Sequence, residues 1–318
     1  MSKKLLILCL ALVVLVSCSK NNKGNQEDEK DCYVFGGSTS TGSFYIQSAA
    51  VANIWENSKY VDTFSIEATT GSFENLLLVS EGEADFGLAS SLAVSCANQG
   101  KEPFSKKQEN LTGVCYGAPT VYHFIVKEES DIHSIQDIKG HTISTGTVGS
   151  GGEQEAREIL AALGITYEDF KRVDYIGVGD GLSALKDGKV DVAICGAGVP
   201  NASILEACLG DNLRILELSE EEIETVFEKC DWVGRSTITA GTYNGVDKDI
   251  NTVCSLTILL ANKNISSDVM YDFTKRLYEN YDSLCQSNSI FNSWSFSKDM
   301  GELIEVNSGS LKFFNEVL

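Results

Sequence analysis

The chain has 318 residues, 43% of them apolar, and a formal charge of −20 from 25 Lys and Arg against 45 Asp and Glu. That length and apolar content allow substantial buried cores and point to two lobes rather than one. The acidity argues against nucleic acid or an anionic membrane surface as partner, since both repel a negative field.

In chain order, Lys3 and Lys4 precede an apolar run from Leu5 to Val16, too short to cross a bilayer but suited to an export signal. The run ends in Leu15-Val16-Ser17-Cys18, which resembles the bacterial lipobox. Residues 1–17 therefore read as a lipoprotein signal peptide and Cys18 as the residue that takes lipid; an ordinary secretion signal is the alternative. Residues 18–31 read as a flexible tether, because nothing apolar follows Cys18 until Cys32. The expectation is an exported protein, periplasmic or at the cell surface, lipid-anchored to a bacterial membrane. No later segment is long and apolar enough to span one.

Eight cysteines remain beyond Cys18: Cys32, Cys96, Cys115, Cys195, Cys208, Cys230, Cys254 and Cys285. An even number in an exported chain permits disulfides. Their placement in apolar runs such as VDVAICGA fits buried thiols equally, and both readings stay open.

From Cys32 onward the runs CYVFGG, FSIEAT, DFGLAS, LTGVCYG, YHFIVK, HTISTG, VDYIGV, VDVAICG, LRILEL and TVCSLTILLANK read as strands. Helical patterns fill the gaps at about 43–57, 72–81, 153–163, 180–187, 219–230 and 267–284. Ser150 with Glu153, and Ser219 with Glu222, have the spacing of a capping box. Strands alternating with helices give an α/β fold with mainly parallel sheets. The first lobe is expected over 32–127 and the second over 128–235, with 236–318 returning to the first lobe and its C-terminal helices. Pro119 and the stretch 239–245 are the expected crossings.

The chain echoes itself. LLLVSEGEADFGLA (76–89) and LSALKDGKVDVAIC (182–195) each end a helix at a glycine and place an aspartate, Asp85 or Asp191, before a buried strand. GGSTSTGSFYI (36–46) and STGTVGSGGEQEA (144–156) repeat at nearly the same spacing, each leading from a strand into a helix. In an open parallel sheet, ligands bind at the carboxyl ends of the strands. A helix start there offers unpaired N–H groups and the positive end of the dipole, to which Ser43, Thr145 and Ser150 add hydroxyls. A carboxylate or a phosphate suits this; no P-loop or dinucleotide motif is present. One helix start contributes about 0.3–1 kcal/mol, whereas micromolar binding needs about 8 kcal/mol. Both loops are therefore expected to close on one small molecule.

Catalysis finds no constellation. His123, His133 and His141 have no zinc spacing, Ser150 lacks the nucleophile-elbow context, and Glu74 fits a helix-dipole partner as well as an acid. No enzyme activity, cofactor or metal is assigned.

GGSTSTGSFY (36–45), Thr70-Gly71-Ser72-Phe73-Glu74-Asn75 with EGEADFGLA, IQDIKGHTISTGTVGSGGE (135–153), GAGVPN (196–201) and AGTY (240–243), in this order and spacing, resemble the TAXI family of solute receptors of TRAP transporters. The resemblance implies the two-lobed periplasmic-binding-protein type II fold with a ligand cleft between lobes. It also implies a receptor that captures a small organic anion or amino acid, of glutamate or glutamine type, and delivers it to an integral-membrane TRAP permease. None of the five arginines lies in a glycine loop, so N–H and hydroxyl donors are expected to hold the carboxylate. The candidates are Thr41, Gly42, Ser43 and Tyr45 with Ser72, Asn75 and Ser90 from the first lobe. From the second come Thr145, Ser150, Gly151, Gly152 and Val199. Tyr45 is either a ligand wall or core, and Ser90 either faces the cleft or forms a plain turn. One segment departs from the family: residues 307–314, NSGSLKFF, stand where it carries a histidine motif. A ligand-sensing or adhesive surface lipoprotein of the same fold is the alternative function, and a hydrolase using Ser150 a distant third.

Overall fold

A computed structural model describes residues 31–38, 40, 43–148, 150–210 and 213–318. Cys18, Thr41 and Gly42 lie outside the described residues, as do the leader and residues 18–30 of the tether; Asp31, expected to end the tether, opens the first strand. The first half of the chain forms β1 (Asp31–Gly36), α1 (Ser43–Trp55), β2 (Val61–Glu67), α2 (Ser72–Glu81), β3 (Phe86–Ser90), α3 (Ser91–Gln99) and the 17-residue β4 (Leu111–Lys127). Then come β5 (Thr142–Thr145), α4 (Gly151–Ala162), β6 (Arg172–Tyr175), α5 (Val178–Lys186), β7 (Val192–Ala197), α6 (Ala202–Gly210), β8 (Leu213–Leu216), α7 (Glu220–Lys229) and β9 (Val233–Ile238). The chain closes with β10 (Ile250–Asn262), α8 (Ser267–Glu279), α9 (Tyr281–Ser287) and α10 (Ser308–Val317).

All ten strands join one sheet, in the order β2-β1-β3-β10-β4-β7-β5-β6, with β8 added to β4 and β9 to β10. Each half repeats one plan. Three parallel strands, β2-β1-β3 or β6-β5-β7, are followed by an antiparallel strand that belongs mainly to neither triplet, β10 or β4.

The echoed aspartates explain why the plan repeats. Val34 N–H donates to Asp85 Oδ2 at 2.9 Å and Val34 O accepts from Asp85 N–H at 2.8 Å. In the second half Thr142 N–H donates to Asp191 Oδ2 at 2.8 Å and Thr142 O accepts from Asp191 N–H at 2.8 Å. Each aspartate thus clips the start of the third strand to the first. The glycine three residues earlier, Gly82 (φ 76°) or Gly188 (φ 69°), takes the left-handed conformation that lets the helix stop there.

LTGVCYG and YHFIVK, expected as two strands, are one continuous β4. Thr257 lies opposite Gly117 and Ser255 opposite Thr120, so Ala118 and Pro119 together face the single residue Leu256. Two residues against one is a bulge, and it is where a proline without an N–H is tolerated in a sheet. The second passage between halves also falls here, inside β10. The stretch 239–245 stays with the second half, where Tyr243 packs among Val121, Cys195 and Ile204.

Side-chain alternation along the long strands feeds different cores. Tyr122, Phe124 and Val126 face a core that continues under both halves, whereas Val121 and Ile125 face a core confined to the second half. The first half has a further core around Trp55, Phe35, Phe86 and Phe273. The eight described cysteines are all free thiols, six of them buried, with only Cys32 exposed.

Of the two capping boxes, Ser219 and Glu222 form theirs reciprocally. Ser150 caps the Glu153 N–H at 3.2 Å, but the Glu153 carboxylate turns aside and accepts from Tyr167 Oη at 3.0 Å. The divergent C-terminal segment is structural. Asn307 caps α10, its Nδ2 donates to Thr112, and a Cβ at Gly309 would stand 2.2 Å from Ser267 O of α8.

Asp85→Ala and Asp191→Ala should each cost about 1–3 kcal/mol in urea unfolding, since each orphans a strand N–H. Asp187→Ala, which removes an exposed pair with Lys189, should stay within about 0.5 kcal/mol. Equal costs for all three would show that the clips do not organise the halves.

Candidate functional site

The register of the long strands places two sets of strand ends against each other. β3 runs antiparallel to β10 and brings its carboxyl end, Ser90, beside Thr257. β7 runs antiparallel to β4 and brings its carboxyl end, Ala197, beside Val121. Thr257 pairs with Gly117 and Cys254 with Val121, so these points lie a few residues apart on one ladder. The carboxyl ends of both parallel triplets, with the loops and helix starts that follow them, therefore converge on the bulge from opposite sides.

In the first loop the glycines serve packing. A Cβ on Gly36 would meet Asn75 Oδ1 at 2.7 Å, and one on Gly37 would meet Tyr45 at 3.1 Å. Asn75 is fully buried: Nδ2 donates to Gly37 O (2.6 Å) and Leu88 O (2.8 Å), and Oδ1 accepts from Thr69 (2.7 Å). All its hydrogen-bonding groups are engaged by the protein, so it shapes the loops and offers nothing to a ligand. Tyr45 is half-buried, with its N–H donated to Ser38 Oγ at 3.3 Å. Ser43 is exposed at the start of α1, and its Oγ accepts from Gln47 at 2.8 Å. Ser72 Oγ accepts the Ser90 N–H at 3.0 Å. Glu74 accepts from the N–H and hydroxyl of Thr70, both at 2.7 Å, and these bonds hold its carboxyl below the usual range.

In the second loop the glycines border open space. Nothing stands within 4 Å of a Cβ on Gly151 or Gly152. Ser150 Oγ takes the Glu153 N–H and Ser150 O the Gln154 N–H. The first two N–H groups of α4, those of Gly151 and Gly152, are left without an acceptor among the described residues. Thr145 is buried and ends β5. Opposite it, Tyr175 ends β6 with 40% of its surface exposed and its ring edge-on to Tyr167. Val199 is half-buried against the second-half core. The next residue but one, Asn201, donates its N–H to Tyr243 Oη at 3.1 Å, and Tyr243 Oη lies 3.2 Å from His123 Nε2.

Three residues at this junction were not singled out from the sequence. Glu155, Tyr122 and Tyr243 are all buried and touch groups that were. Tyr122 Oη donates to Glu155 Oε2 at 2.6 Å and stands 3.2 Å from Gly152 O. Ser255 donates to Glu155 Oε1 at 2.9 Å. Burial pushes the Glu155 carboxyl up, while its hydroxyl partners, Tyr122 foremost, pull it down.

Each of the five arginines has a partner at the protein surface or in the fold: Arg157 lies near Glu153, Arg172 near Asp174, Arg235 near Glu220 and Glu224, Arg276 near Asp272, and Arg214 on Ser130 and Ile132 carbonyls. Cavities of about 510, 630 and 400 Å³ are lined elsewhere, by Asp85 with Asn262, by Leu111 with Glu305, and by Tyr116 with Trp232 and Met300. No group of three His, Cys, Asp or Glu placed to hold a metal occurs among the described residues. The described residues of these loops offer hydroxyl and N–H donors, with Tyr45 and Tyr175 partly exposed beside them.

Residues 35–317 match the NMT1-like family. The chain belongs to the NMT1-like family. Among solved structures, this NMT1-like chain is similar to a Xanthomonas citri protein bound to ATP (11% identity, 90% of this chain and 99% of that one, TM-score 0.55). A TctC solute binding protein from Polaromonas matches with 11% identity, 90% and 96% coverage and TM-score 0.55. PhnD1 from Prochlorococcus marinus, in complex with methylphosphonate, matches with 13% identity, 90% and 96% coverage and TM-score 0.51. At these identities the likeness is one of fold: the two-lobed α/β architecture of periplasmic binding proteins.

Burial holds His123 neutral by lowering its pKa from 6.5 to about 4, against bonds to the Cys195 and Val121 carbonyls that favour the cation. The unfolded chain takes the proton first, so the stability His123 confers is complete above pH 6.5 and lost as pH falls toward 4, by roughly 3 kcal/mol. His123→Asn should flatten that part of the acid-unfolding curve relative to the parent protein. Parallel curves would assign the acid sensitivity to other groups.

Proposed function

We propose that this chain is an exported solute receptor of the TAXI type, which captures a small carboxylate and presents it to a TRAP-type membrane permease. Residues 1–17 are its lipoprotein signal, 18–31 its tether, and Cys18 its lipid anchor. The ligand is an amino acid of glutamate or glutamine type, or a comparable organic acid. One observation carries the reading: the strand ends of two repeated halves converge on a single bulge, and one side presents two helix N–H groups with no acceptor among the described residues. The lobes meet at Ala118-Pro119 and Leu256, and closure bends the chain there. Among the fold's neighbours, a TctC solute binding protein and PhnD1 in complex with methylphosphonate support capture of a small solute. Carboxylate is favoured over a doubly charged phosphonate because no guanidinium or ammonium lies in either loop.

Ser43, Tyr45, Ser72 and Ser90 then face Thr145, Ser150, Gly151, Gly152 and Val199 across the gap; Thr41 and Gly42, also proposed to bind, lie outside the described residues. The ligand carboxylate sits on the Gly151 and Gly152 N–H groups. Tyr45 and Tyr175 flank its remaining atoms.

A thermal-shift series over amino acids, dicarboxylates, alkylsulfonates and alkylphosphonates tests this. A true ligand at a hundred times its Kd adds about 2.7 kcal/mol to stability. Ser150→Asp keeps a good helix cap but sets a carboxylate where the ligand's should rest. Calorimetry should show affinity reduced at least about tenfold, equivalent to about 1.4 kcal/mol, with the free variant's melting temperature nearly unchanged. Unaltered affinity would remove the second loop from the site, and a response confined to phosphonates would replace the carboxylate.

A further inference from the structure

Of the three cavities, the one of about 400 Å³ alone takes its walls from both halves of the molecule. α3 of the first half supplies Asn98 and Gln99, and the entry to β9 in the second supplies Asp231 and Trp232. Tyr116, just ahead of the bulge, and Glu302, in the segment before α10, also line it.

The hydrogen-bonding groups on these walls decide what fits. Gln99 Nε2 donates within the protein, to Ser95 Oγ and to Asp231 Oδ2, both at 2.9 Å. Ser95 Oγ donates to Asp231 Oδ1 at 2.7 Å, and Asn98 Nδ2 donates to Leu303 O at 2.5 Å. The donors are thus largely engaged, while acceptors are left over. The side-chain oxygens of Asn98, Gln99 and Glu302 accept no hydrogen bond among the described residues, and each Asp231 oxygen accepts only one. No Lys, Arg or His lines the space. An anion meets two carboxylates there, whereas a ligand with positive charge and several N–H groups satisfies the surplus. Between the acceptors the walls are apolar or aromatic: Trp232 and Met300 are buried, and Tyr116 is half-buried. Burial, with the Asp299 carboxylate nearby, raises the Tyr116 pKa, so its ring stays uncharged, as stacking against a cation requires.

We infer that this cavity binds a small organic cation, an ammonium group on a short apolar or aromatic body, at a site separate from the ligand cleft. Its volume suits a ligand of modest size. The formal charge of −20 draws such cations toward the chain. Neither glycine loop contributes to this lining, so the inference does not rest on the proposed carboxylate receptor.

Calorimetry of the full chain with phenethylamine tests it, against 2-phenylethanol, which keeps the ring and removes the charge. The amine should bind saturably with a Kd of about 1 mM or tighter, and the alcohol at least about tenfold more weakly. Glu302 is exposed and has no described partner, so its variants should melt as the parent does. Glu302→Gln should weaken the amine about threefold or more, and Glu302→Lys, which brings an ammonium of its own, should remove binding. Amide exchange with the amine bound should slow in 95–99 and 231–233. No saturable binding, equal affinity for amine and alcohol, full affinity in Glu302→Lys, or protection confined to other segments each overturns the inference. Phenethylamine has no carboxylate, so its failure leaves the proposed receptor standing, and failure of every carboxylate to bind leaves this result unaltered.

Discussion

The pairing of β4 with β10 is the constraint on which the rest of the structure depends. Each strand is long enough to serve both halves, and each lies antiparallel to the last strand of one parallel triplet. Opposite chain directions within one ladder oblige the triplets to point their carboxyl ends at the same few residues. The two sets of strand ends are thereby brought together by register alone. The bulge at Ala118 and Pro119 interrupts the ladder at that spot.

Much of this plan is legible in the sequence because the repeated parts depend on local chemistry. A helix ended by a left-handed glycine, followed by an aspartate and an apolar strand, identifies itself, and both aspartates form the same two-way bond with the first strand of their half. Elements without that local signal are hidden. α3, read as SLAVSCANQ, is buried over Ser91–Ala97 and has no solvent face to give it amphipathic contrast. Its polar residues form a stripe that meets the other half: Ser91 donates to Trp232 O, while Ser95 and Gln99 donate to the Asp231 carboxylate. α6 has exposed apolar residues, Leu205 and Leu209, so its pattern misleads in the opposite sense. β4 escapes as a single strand because a proline ordinarily ends one.

The candidate site divides along the same line. Hydroxyls and glycines at strand ends could be named from the sequence, since their surroundings are set within a few residues. Asn75 was named for a ligand and proves to be a buried brace, because its partners Gly37 and Leu88 come from two different strands. Glu155 sits in an ordinary acidic helical pattern, GGEQEAREI. Its distinction comes from Ser255, 100 residues away, and Tyr122, 33 away. Burial produced by distant partners leaves no trace in local pattern.

The apolar layer that runs beneath both halves, with Leu92, Ala93 and Cys96 of α3 in the same cluster as Cys230, Trp232 and Val233, has a mechanical corollary. Separating these groups would wet hydrocarbon at about 25 cal/mol for every Å² uncovered. Any movement of one half against the other that parted α3 from Cys230, Trp232 and Val233 is therefore opposed by that exposure, so this seam stays closed whatever the strand ends on the polar side do.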